Sequence, residues 1–261
     1  MTFLAENRIA GRTALVTGAG NGLGAAIAAG LAASGAHTIL VGRSAERLEN
    51  VAASIEGKGE TARVAPCDVS DPQQVDDLAL TLGDESISIL INNAGVAGPV
   101  AELVDVQPAE WDQVFAANVR GVYLMCRAFL PPMLARNSGD IINIASVSGK
   151  RPLPRRTPYV ASKMAVIGLS ATLAFEVGNR GVTVNSLSPG PVRGPRMERN
   201  FLLDAERTGR TRAESEHEFV SRAALGRMVE ESEVVAAIVG MLHMPGLCGA
   251  DIDLSAGMVA R

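Results

Sequence analysis

The chain has 261 residues, of which 47% are hydrophobic and 20% are charged, and its formal net charge is −4. This composition provides a large core and disfavours nucleic acid as the main partner. The three cysteines and three histidines are scattered and form neither a disulfide framework nor a metal-binding spacing, so we expect a cytoplasmic protein without a metal. The first twelve residues lack a long apolar core, so we expect neither a signal peptide nor a membrane partner.

In the first half of the chain, short apolar runs alternate with segments of helical pattern. A glycine-rich run over residues 18–24 separates the first strand from the first helix, and Ser44 and Pro72 mark the starts of two more helices. Strands are predicted over residues 13–17, 37–41, 61–65 and 87–91. Strands without polar alternation, joined by helices, indicate a parallel sheet that is covered on both faces.

The second half continues this alternation. A helix is predicted over residues 108–133, where Pro131-Pro132 should end it, and others over 158–178 and 232–241. Strands are predicted over residues 140–145, 182–187 and 250–254. The pattern therefore predicts one α/β domain over residues 1–261, a doubly wound Rossmann fold with a seven-stranded parallel sheet and helices on both faces.

Two segments interrupt the alternation. Residues 149–157 are basic and rich in proline, and residues 191–227 are long, heavily charged and partly helical. Both follow the carboxyl ends of strands, where such sheets bind ligands, so we predict that residues 191–227 form a substrate loop or lid. Their arginines and lysine favour an anionic substrate, with a solvated charged face as the alternative. The basic residues concerned are Lys150, Arg151, Arg155, Arg156, Arg193, Arg196 and Arg199.

Glycines mark the turn between the first strand and the first helix. Gly18, Gly22 and Gly24 allow the backbone to turn tightly and to approach a pyrophosphate closely. The helix that follows offers free N–H groups and a favourable dipole at its N-terminus. This run predicts a dinucleotide phosphate site, and a structural turn without a ligand is the alternative.

The residue after the second strand bears on the choice of dinucleotide. NAD-binding folds place a carboxylate there to bind the ribose hydroxyls, whereas this chain has Gly42-Arg43. Arg43 can pair with a 2′-phosphate and stack on adenine, which favours NADP over NAD. The alternative is an exposed arginine at a strand end.

Tyr159 and Lys163 are four residues apart on a predicted helix, so both side chains lie on one face. A free tyrosine has a pKa near ~10, and a neighbouring ammonium favours the phenolate and lowers this pKa. The pair can exchange a proton with an alcohol or a carbonyl oxygen. In isolation, the same spacing also occurs by chance on amphipathic helices.

The glycine turn and the Tyr159-x-x-x-Lys163 pair together resemble the short-chain dehydrogenase/reductase family, and further motifs of that family follow in order. The resemblance extends from about Arg12 to the C-terminus. The additional matching motifs are Cys67-Asp68-Val69, Asn92-Asn93-Ala94-Gly95, Asn118, Ser146 and Pro189-Gly190.

The resemblance implies a catalytic role for four residues. Tyr159 would protonate the carbonyl oxygen as hydride arrives, and Ser146 would hydrogen-bond the same oxygen. Lys163 would lower the pKa of Tyr159 and hold the nicotinamide ribose. Asn118 would link Lys163 to a proton relay, through its backbone or a bound water.

The resemblance also implies a cofactor path along the carboxyl edge of the sheet. Two departures stand out: Asn21 replaces a basic residue that is common in NADP-preferring relatives, and no serine or threonine closely follows Pro189-Gly190. The residues expected to bind the cofactor are Gly18, Asn21, Gly22, Leu23, Gly24, Arg43, Asp68, Val69, Asn93, Gly95, Tyr159, Lys163, Pro189, Gly190 and Val192.

The implied function is that of an oxidoreductase that interconverts a carbonyl and a secondary alcohol, with NADP favoured as cofactor and NAD as the alternative. Candidate substrates are sugar acids, keto acids and 3-oxoacyl compounds. A non-catalytic nicotinamide-nucleotide sensor or scaffold is the alternative from another functional class. A lyase or epimerase on the same scaffold is a third possibility.

The helix over residues 158–178 is apolar nearly all round, so its outer face is expected to meet another subunit. The family resemblance implies a homodimer or homotetramer. The alternative is that residues 191–227 of the same chain cover this helix.

Overall fold

Strands and helices alternate along the chain in this computed structural model, which describes residues 7–259 apart from the side chain of Arg196. The expectations for the first residues therefore lie mostly outside the described part. The elements are β1 (Thr13–Thr17), α1 (Gly22–Ala33), β2 (His37–Gly42), α2 (Ala45–Glu56), β3 (Ala62–Pro66), α3 (Pro72–Thr81), β4 (Ile87–Asn92), α4 (Pro108–Phe115), α5 (Gly121–Ala135), β5 (Gly139–Ile144), α6 (Thr157–Val177), β6 (Val182–Pro189), α7 (Pro195–Thr208), α8 (Arg212–Val220), α9 (Glu231–Leu242) and β7 (Asp251–Leu254).

The seven strands form one parallel sheet in the order β3-β2-β1-β4-β5-β6-β7. Successive side chains of a strand point to opposite faces, and each face has its own core. Leu15 and Leu90 pack on the face covered by α3, α5 and α6, whereas Val16 and Ile91 pack on the face covered by α1, α2 and α9. The predicted doubly wound fold is confirmed.

The strand order reverses beside β1. The chain runs from β1 outward through β2 to β3, then returns to place β4 on the other side of β1. In doubly wound sheets this reversal opens a crevice at the carboxyl ends of the two central strands, and ligands bind in it. The glycine turn follows β1 at this point.

The helix predicted over residues 108–133 is present, but it differs from the prediction in two respects. The segment divides into α4, a π-helical turn over Ala116–Arg120, and α5. Pro131 and Pro132 lie inside α5 and do not end it. Each proline removes a backbone donor, but the buried side chain of Met133 packs against Gly139 and holds the helix in place to its last turn.

The long charged segment after β6 is mostly helical. It contains α7 and α8, and Val192 and Val229 pair across its base in an isolated parallel bridge. Gly194 precedes α7 directly. The segment therefore has structure of its own, and its role as a lid stays a prediction.

One helical stretch in the described part of the chain, over residues 157–180, is long and apolar enough by composition to cross a membrane. It contains α6. Val166, Ser170 and Ala174 on α6 are buried, and the helix packs against β6.

The crossing of α1 and α9 is set by a glycine, because a Cβ at Gly30 would lie 2.2 Å from Cγ1 of Val235. We predict that Gly30→Ala destabilises the protein by about 1–3 kcal/mol through overpacking and lowers its thermal midpoint. Gly240→Ala in α9, where a Cβ meets nothing within 4 Å, is the matched control and should leave the midpoint unchanged or raise it.

Thermal unfolding followed by circular dichroism checks both variants. The double variant Gly30→Ala/Val235→Ala should recover part of the loss because it removes the contacting methyl groups. A Gly30→Ala protein that is as stable as the wild type would contradict the packing at this crossing.

Candidate active site

Hydrogen bonds of the Thr17 and Asn93 side chains connect the end of β1 to the segment that follows β4. The hydroxyl of Thr17 accepts from the backbone N–H groups of Asn93 (2.9 Å) and Ala94 (3.0 Å). The side-chain amide of Asn93 donates to the carbonyl of Thr17 at 3.0 Å. The two strands that flank the crevice therefore have a fixed relation where they end.

The glycine turn passes this junction in close contact. A Cβ at Gly18 would lie 2.9 Å from Nδ2 of Asn93, and a Cβ at Gly24 would lie 2.1 Å from the carbonyl oxygen of Gly18. Gly18 and Gly22 also have positive φ angles, of 68° and 48°. Asn21 caps α1 in an extended conformation without a side-chain bond to the helix. The first turn of α1 is thus presented to the crevice as backbone, as a phosphate site requires.

An open cleft of about 1370 Å³ extends from this turn across the carboxyl edge of the sheet to α7 and α8. Ser146, Tyr159 and Lys163 line it, and so do all the residues predicted to bind a cofactor. Those residues are Gly18, Asn21, Gly22, Leu23, Gly24, Arg43, Asp68, Val69, Asn93, Gly95, Tyr159, Lys163, Pro189, Gly190 and Val192.

Ser146, Tyr159 and Lys163 come from two different elements. Ser146 follows β5, is 8% exposed, and accepts a hydrogen bond from the N–H of Ser148 at 3.2 Å. Tyr159 and Lys163 lie in the first turns of α6 and are 8% and 6% exposed. The ammonium of Lys163 donates to the carbonyl of Ile144 at 2.7 Å and lies 5.9 Å from the centroid of the Tyr159 ring. A phenol, a hydroxyl and an ammonium are thus gathered at low exposure beside one cleft.

Asn118 lies in the π-helical turn and, unlike the other predicted site residues, does not line the cleft. Its Oδ1 accepts from the N–H of Val96 at 2.7 Å, and its Nδ2 donates to the carbonyl of Val96 and to Oγ of Ser162, both at 3.0 Å. The side-chain amide therefore clamps the segment after β4 to α6. Any participation in a proton relay is left to the backbone of this turn, whose π-helical form is common at functional sites.

The carboxylate of Asp68, which also lines the cleft, is hydrogen-bonded within its own loop. It accepts from the N–H (2.9 Å) and the hydroxyl (2.7 Å) of Ser70. Neighbouring Cys67 is buried, and burial raises the pKa of its thiol to about 11. A thiol with this pKa stays protonated near neutral pH, so Cys67 is a buried side chain and not a nucleophile.

Two charged residues beside the glycine turn were not predicted from the sequence. Arg47, one turn into α2, lies next to the glycine turn, since a Cβ at Gly20 would be 3.3 Å from Cβ of Arg47. Glu231 at the start of α9 approaches the same turn, with Oε1 at 3.8 Å from a Cβ at Gly22. The spacing of Arg47 from the N-cap Ser44 could have indicated it, whereas nothing local in the sequence relates Glu231 to the turn.

The basic residues of the segment before α6 do not all line the cleft. The side chain of Lys150 is 5% exposed and forms ion pairs with Asp251 (2.5 Å) and Asp253 of β7. It does not line the cleft, so its predicted part in binding an anionic substrate is wrong: two carboxylates of the same chain already balance its charge. Arg151, Arg155 and Arg156 do line the cleft.

Charged side chains connect α7, α8 and the start of α9. Arg212 binds Glu198 at 2.7 Å and also contacts Glu216, and Arg193 binds Glu230 at 3.0 Å and Glu216 at 3.4 Å. The hydrogen bond from Arg212 holds the pKa of Glu198 below its usual value. These pairs are solvent-exposed, so they orient the helices more than they stabilise the fold.

The wall of the cleft formed by α7 and α8 also has an apolar part. Phe201 is 2% exposed and meets Phe219 edge-on, with 5.9 Å between ring centroids. Both rings line the cleft, as does Leu203. The cleft therefore has a glycine turn at one end and a mixed apolar and charged wall at the other.

No group of three or more metal-binding side chains occurs within residues 7–259.

The family model for short chain dehydrogenases matches residues 12–205. The chain belongs to the short-chain dehydrogenase/reductase family. D-threitol dehydrogenase of Mycolicibacterium smegmatis is 41% identical over 184 residues, which are 70% of this chain and 70% of that protein. The chain is therefore an oxidoreductase of the class that acts on CH–OH groups with a nicotinamide cofactor.

Two solved structures of this family have closely similar folds. An actinorhodin polyketide ketoreductase variant with NADPH has a TM-score of 0.90 and 27% identity, over 98% of this chain and 99% of that one. An NAD+-bound xylitol dehydrogenase has a TM-score of 0.89 and 29% identity, over 95% of this chain and 99% of that one. The two proteins differ in cofactor and in substrate, so a preference for this chain must be argued from its own residues.

Proposed function

We propose that this protein is an NADP-dependent enzyme that interconverts a ketone and a secondary alcohol, with Tyr159 as the group that exchanges the proton. The observation that carries the proposal is the common cleft: Tyr159, Ser146 and Lys163 line the same open cleft as the glycine turn. A bound dinucleotide would then extend from the turn toward the phenol.

The residues of the turn fit a nicotinamide dinucleotide. Added Cβ atoms at Gly18 and Gly24 would meet atoms of this chain at 3.0 Å or less, so only glycine allows a turn this tight, and the turn lines the cleft. The bare backbone leaves room for the pyrophosphate. When bound, the cofactor supplies the hydride to the carbonyl carbon, or accepts it from the alcohol.

The chain's own groups handle the oxygen of the substrate. In reduction, the hydroxyl of Tyr159 donates its proton to the carbonyl oxygen as negative charge develops there. The hydroxyl of Ser146 donates a hydrogen bond to the same oxygen and holds it in place. In oxidation, the phenolate of Tyr159 takes the proton from the alcohol.

Lys163 favours the phenolate of Tyr159 through its positive charge and holds the nicotinamide ribose. Asn118 supports this arrangement from outside the cleft. Its amide fixes Val96 and Ser162, and Ser162 in turn donates to the carbonyl of Tyr159 at 2.7 Å. The backbone of Asn118 would complete the relay that returns a proton to Lys163.

We assign the preference for NADP to two arginines. Arg43 follows β2 and Arg47 lies on the first turn of α2, and both line the cleft beside the capping residue Ser44. A 2′-phosphate in this corner would meet two guanidinium groups and the N-terminus of a 12-residue helix. Arg47 supplies, from α2, the positive charge that Asn21 does not supply from the turn itself.

Facing Tyr159, the wall of α7 and α8 would act as the lid over the substrate. Its side chains Phe201, Leu203 and Phe219 suit an apolar part of the substrate. Arg151 and Arg155, which also line the cleft, suit a polar or anionic part. These features support a 3-oxoacyl compound or a keto acid as much as a sugar acid.

Tyr159→Phe tests the proposed chemistry. We predict that kcat/KM for carbonyl reduction falls by about 10²–10⁴-fold, because the proton donor is lost while the ring remains. The affinity for NADPH should stay within about twofold, since phenylalanine keeps the packing of the ring. Consumption of NADPH is followed by absorbance against a panel of 3-oxoacyl thioesters, keto acids, sugars and sugar acids.

Ser148→Ala, beside the site, is the control, and it should keep most of the activity. A wild-type protein that binds NADPH and reduces nothing in the panel would point to the non-catalytic sensor. Product formation without net consumption of NADPH would point to a lyase or epimerase.

Removal of both charges in Arg43→Ala/Arg47→Ala tests the cofactor preference. The dissociation constant of NADPH should rise by about 10–100-fold, because charge-assisted hydrogen bonds to a phosphate are lost. That of NADH should change little. Fluorescence titration measures both constants, with Arg180→Ala, outside the cleft, as the control. Equal losses for NADH and NADPH would contradict the assignment.

We also infer that the protein is a cytoplasmic homo-oligomer, a dimer or a tetramer, that associates through α5 and α6. Tyr123 on α5 is 51% exposed, and Met164 and Phe175 on α6 are 49% and 90% exposed. Large apolar side chains exposed on neighbouring helices are typical of an interface. Buried, unpaired Cys67 and Cys126 suit a reducing compartment.

Light scattering coupled to size-exclusion chromatography tests this assembly. Phe175→Asp should shift the protein toward smaller species, because the charge would be buried at the interface. Leu80→Asp, an equally exposed position on α3 (82%), should leave the mass unchanged. A monomeric wild type would contradict the inference.

A further inference from the structure

Arg156 stands immediately before α6 and is only 8% exposed. Its Cζ atom lies 5.5 Å from the centroid of the Tyr159 ring, within the distance of a cation–π contact. It also lines the cleft. A buried guanidinium is therefore held against the phenol that we assign as the proton-exchanging group.

The backbone on both sides of this arginine is fixed. The carbonyl of Arg155 accepts from the N–H of Ala101 at 3.1 Å, and Arg155 itself adopts a positive φ of 64°. The carbonyl of Arg156 accepts from the N–H of Val160 at 2.9 Å, in the first turn of α6. The start of the helix that carries Tyr159 thus fixes the backbone of Arg156. The left-handed conformation of Arg155 sets the direction in which the chain enters this helix.

We propose that Arg156 is a positioning residue for Tyr159, which holds the phenol ring in its reactive orientation and stabilises the phenolate form by its permanent positive charge. The proposal rests on the proposed role of Tyr159. Its role differs from that of Lys163, which is also proposed to hold the cofactor, because the proposal for Arg156 is based on its contact with the ring of Tyr159.

The charge of Arg156 is well suited to this task. A guanidinium keeps its proton at every pH at which an enzyme works, so its effect on a phenolate does not itself titrate. Its burial removes the water that would screen the attraction. Two cations lie beside the ring, the ammonium of Lys163 and the guanidinium of Arg156. Both favour the phenolate form of Tyr159.

Other charged groups face the same cleft and contribute a background field. Arg151 and Arg155 belong to the same segment as Arg156, and the remaining ones come from the cofactor end and from the lid. They are Arg43, Arg47, Asp68, Arg193, Asp204, Arg207, Arg210, Glu218, Arg222 and Glu231.

The tyrosine content of the chain allows a direct test. There are two tyrosines, Tyr123 and Tyr159, so a Tyr123→Phe protein reports the ionisation of Tyr159 alone. The near-ultraviolet absorbance of tyrosinate is measured against pH without cofactor or substrate, and circular dichroism confirms that the protein stays folded. A Tyr159→Phe version of the same protein gives the baseline.

In this background, Arg156→Gln should move the midpoint of tyrosinate formation upward by about one pH unit or more, because a neighbouring cation is removed. Arg156→Met, which keeps the aliphatic stem, should give the same shift and serves if the glutamine variant does not fold. Arg156→Lys should restore more than half of the shift. Arg151→Gln removes the same charge from the same segment and should shift the midpoint less than half as much.

Turnover gives the second readout. The pH at which kcat/KM for alcohol oxidation is half-maximal should rise in Arg156→Gln by the same amount as the tyrosinate midpoint, whereas the affinity for NADPH should not change. At neutral pH the rate of oxidation should fall by about tenfold, since one pH unit is a tenfold change in phenolate population.

Two results would overturn the proposal. One is a tyrosinate midpoint that is unchanged by both Arg156→Gln and Arg156→Met. The other is an equal shift in Arg156→Gln and Arg156→Lys, which would assign the effect to shape and not to charge. The titration uses no substrate, so failure of the proposed carbonyl chemistry would appear separately, as an active Tyr159→Phe enzyme.

Discussion

The junction of β1 and β4 is the constraint on which the rest of the site depends. Thr17 and Asn93 lock the two strand ends together through side chain and backbone, and Gly18 turns away with no space for a Cβ between them. This junction stands where the strand order reverses, so it determines both the opening of the crevice and the start of α1. The conformation of the glycine turn is thus a consequence of how two parallel strands end.

Different contacts hold the side chains proposed to react at the same edge of the sheet. Ser146 follows β5, Lys163 reaches back to the carbonyl of Ile144 at the end of β5, and Asn118 joins the segment after β4 to α6. The start of α6 is therefore anchored to two neighbouring strands. Such anchoring holds a phenol and an ammonium at low exposure, and it explains why motifs far apart in sequence converge on one cleft.

Much of this arrangement can be predicted from the sequence, because apolar strands, their glycine turn and the residues at their carboxyl ends are local patterns. Contacts that depend on residues far apart in the chain could not be predicted in this way. Pro131 and Pro132 continue a helix because Met133 is buried against Gly139, and Lys150 is drawn to Asp251 and Asp253 of the last strand. Nothing local in the sequence shows that Glu231 approaches the glycine turn or that Arg156 lies against the ring of Tyr159.

In the proposed reaction, hydride passes directly between a cofactor bound at the glycine turn and a carbonyl carbon held next to Tyr159. The most direct measurement is the fate of deuterium from NADPH labelled at its transferable position, with a ketone that the enzyme reduces. Mass spectrometry should find one deuterium on the carbinol carbon of the product for each NADPH oxidised. Product that carries only solvent hydrogen at this carbon, or cofactor that keeps its label while product forms, would contradict the account.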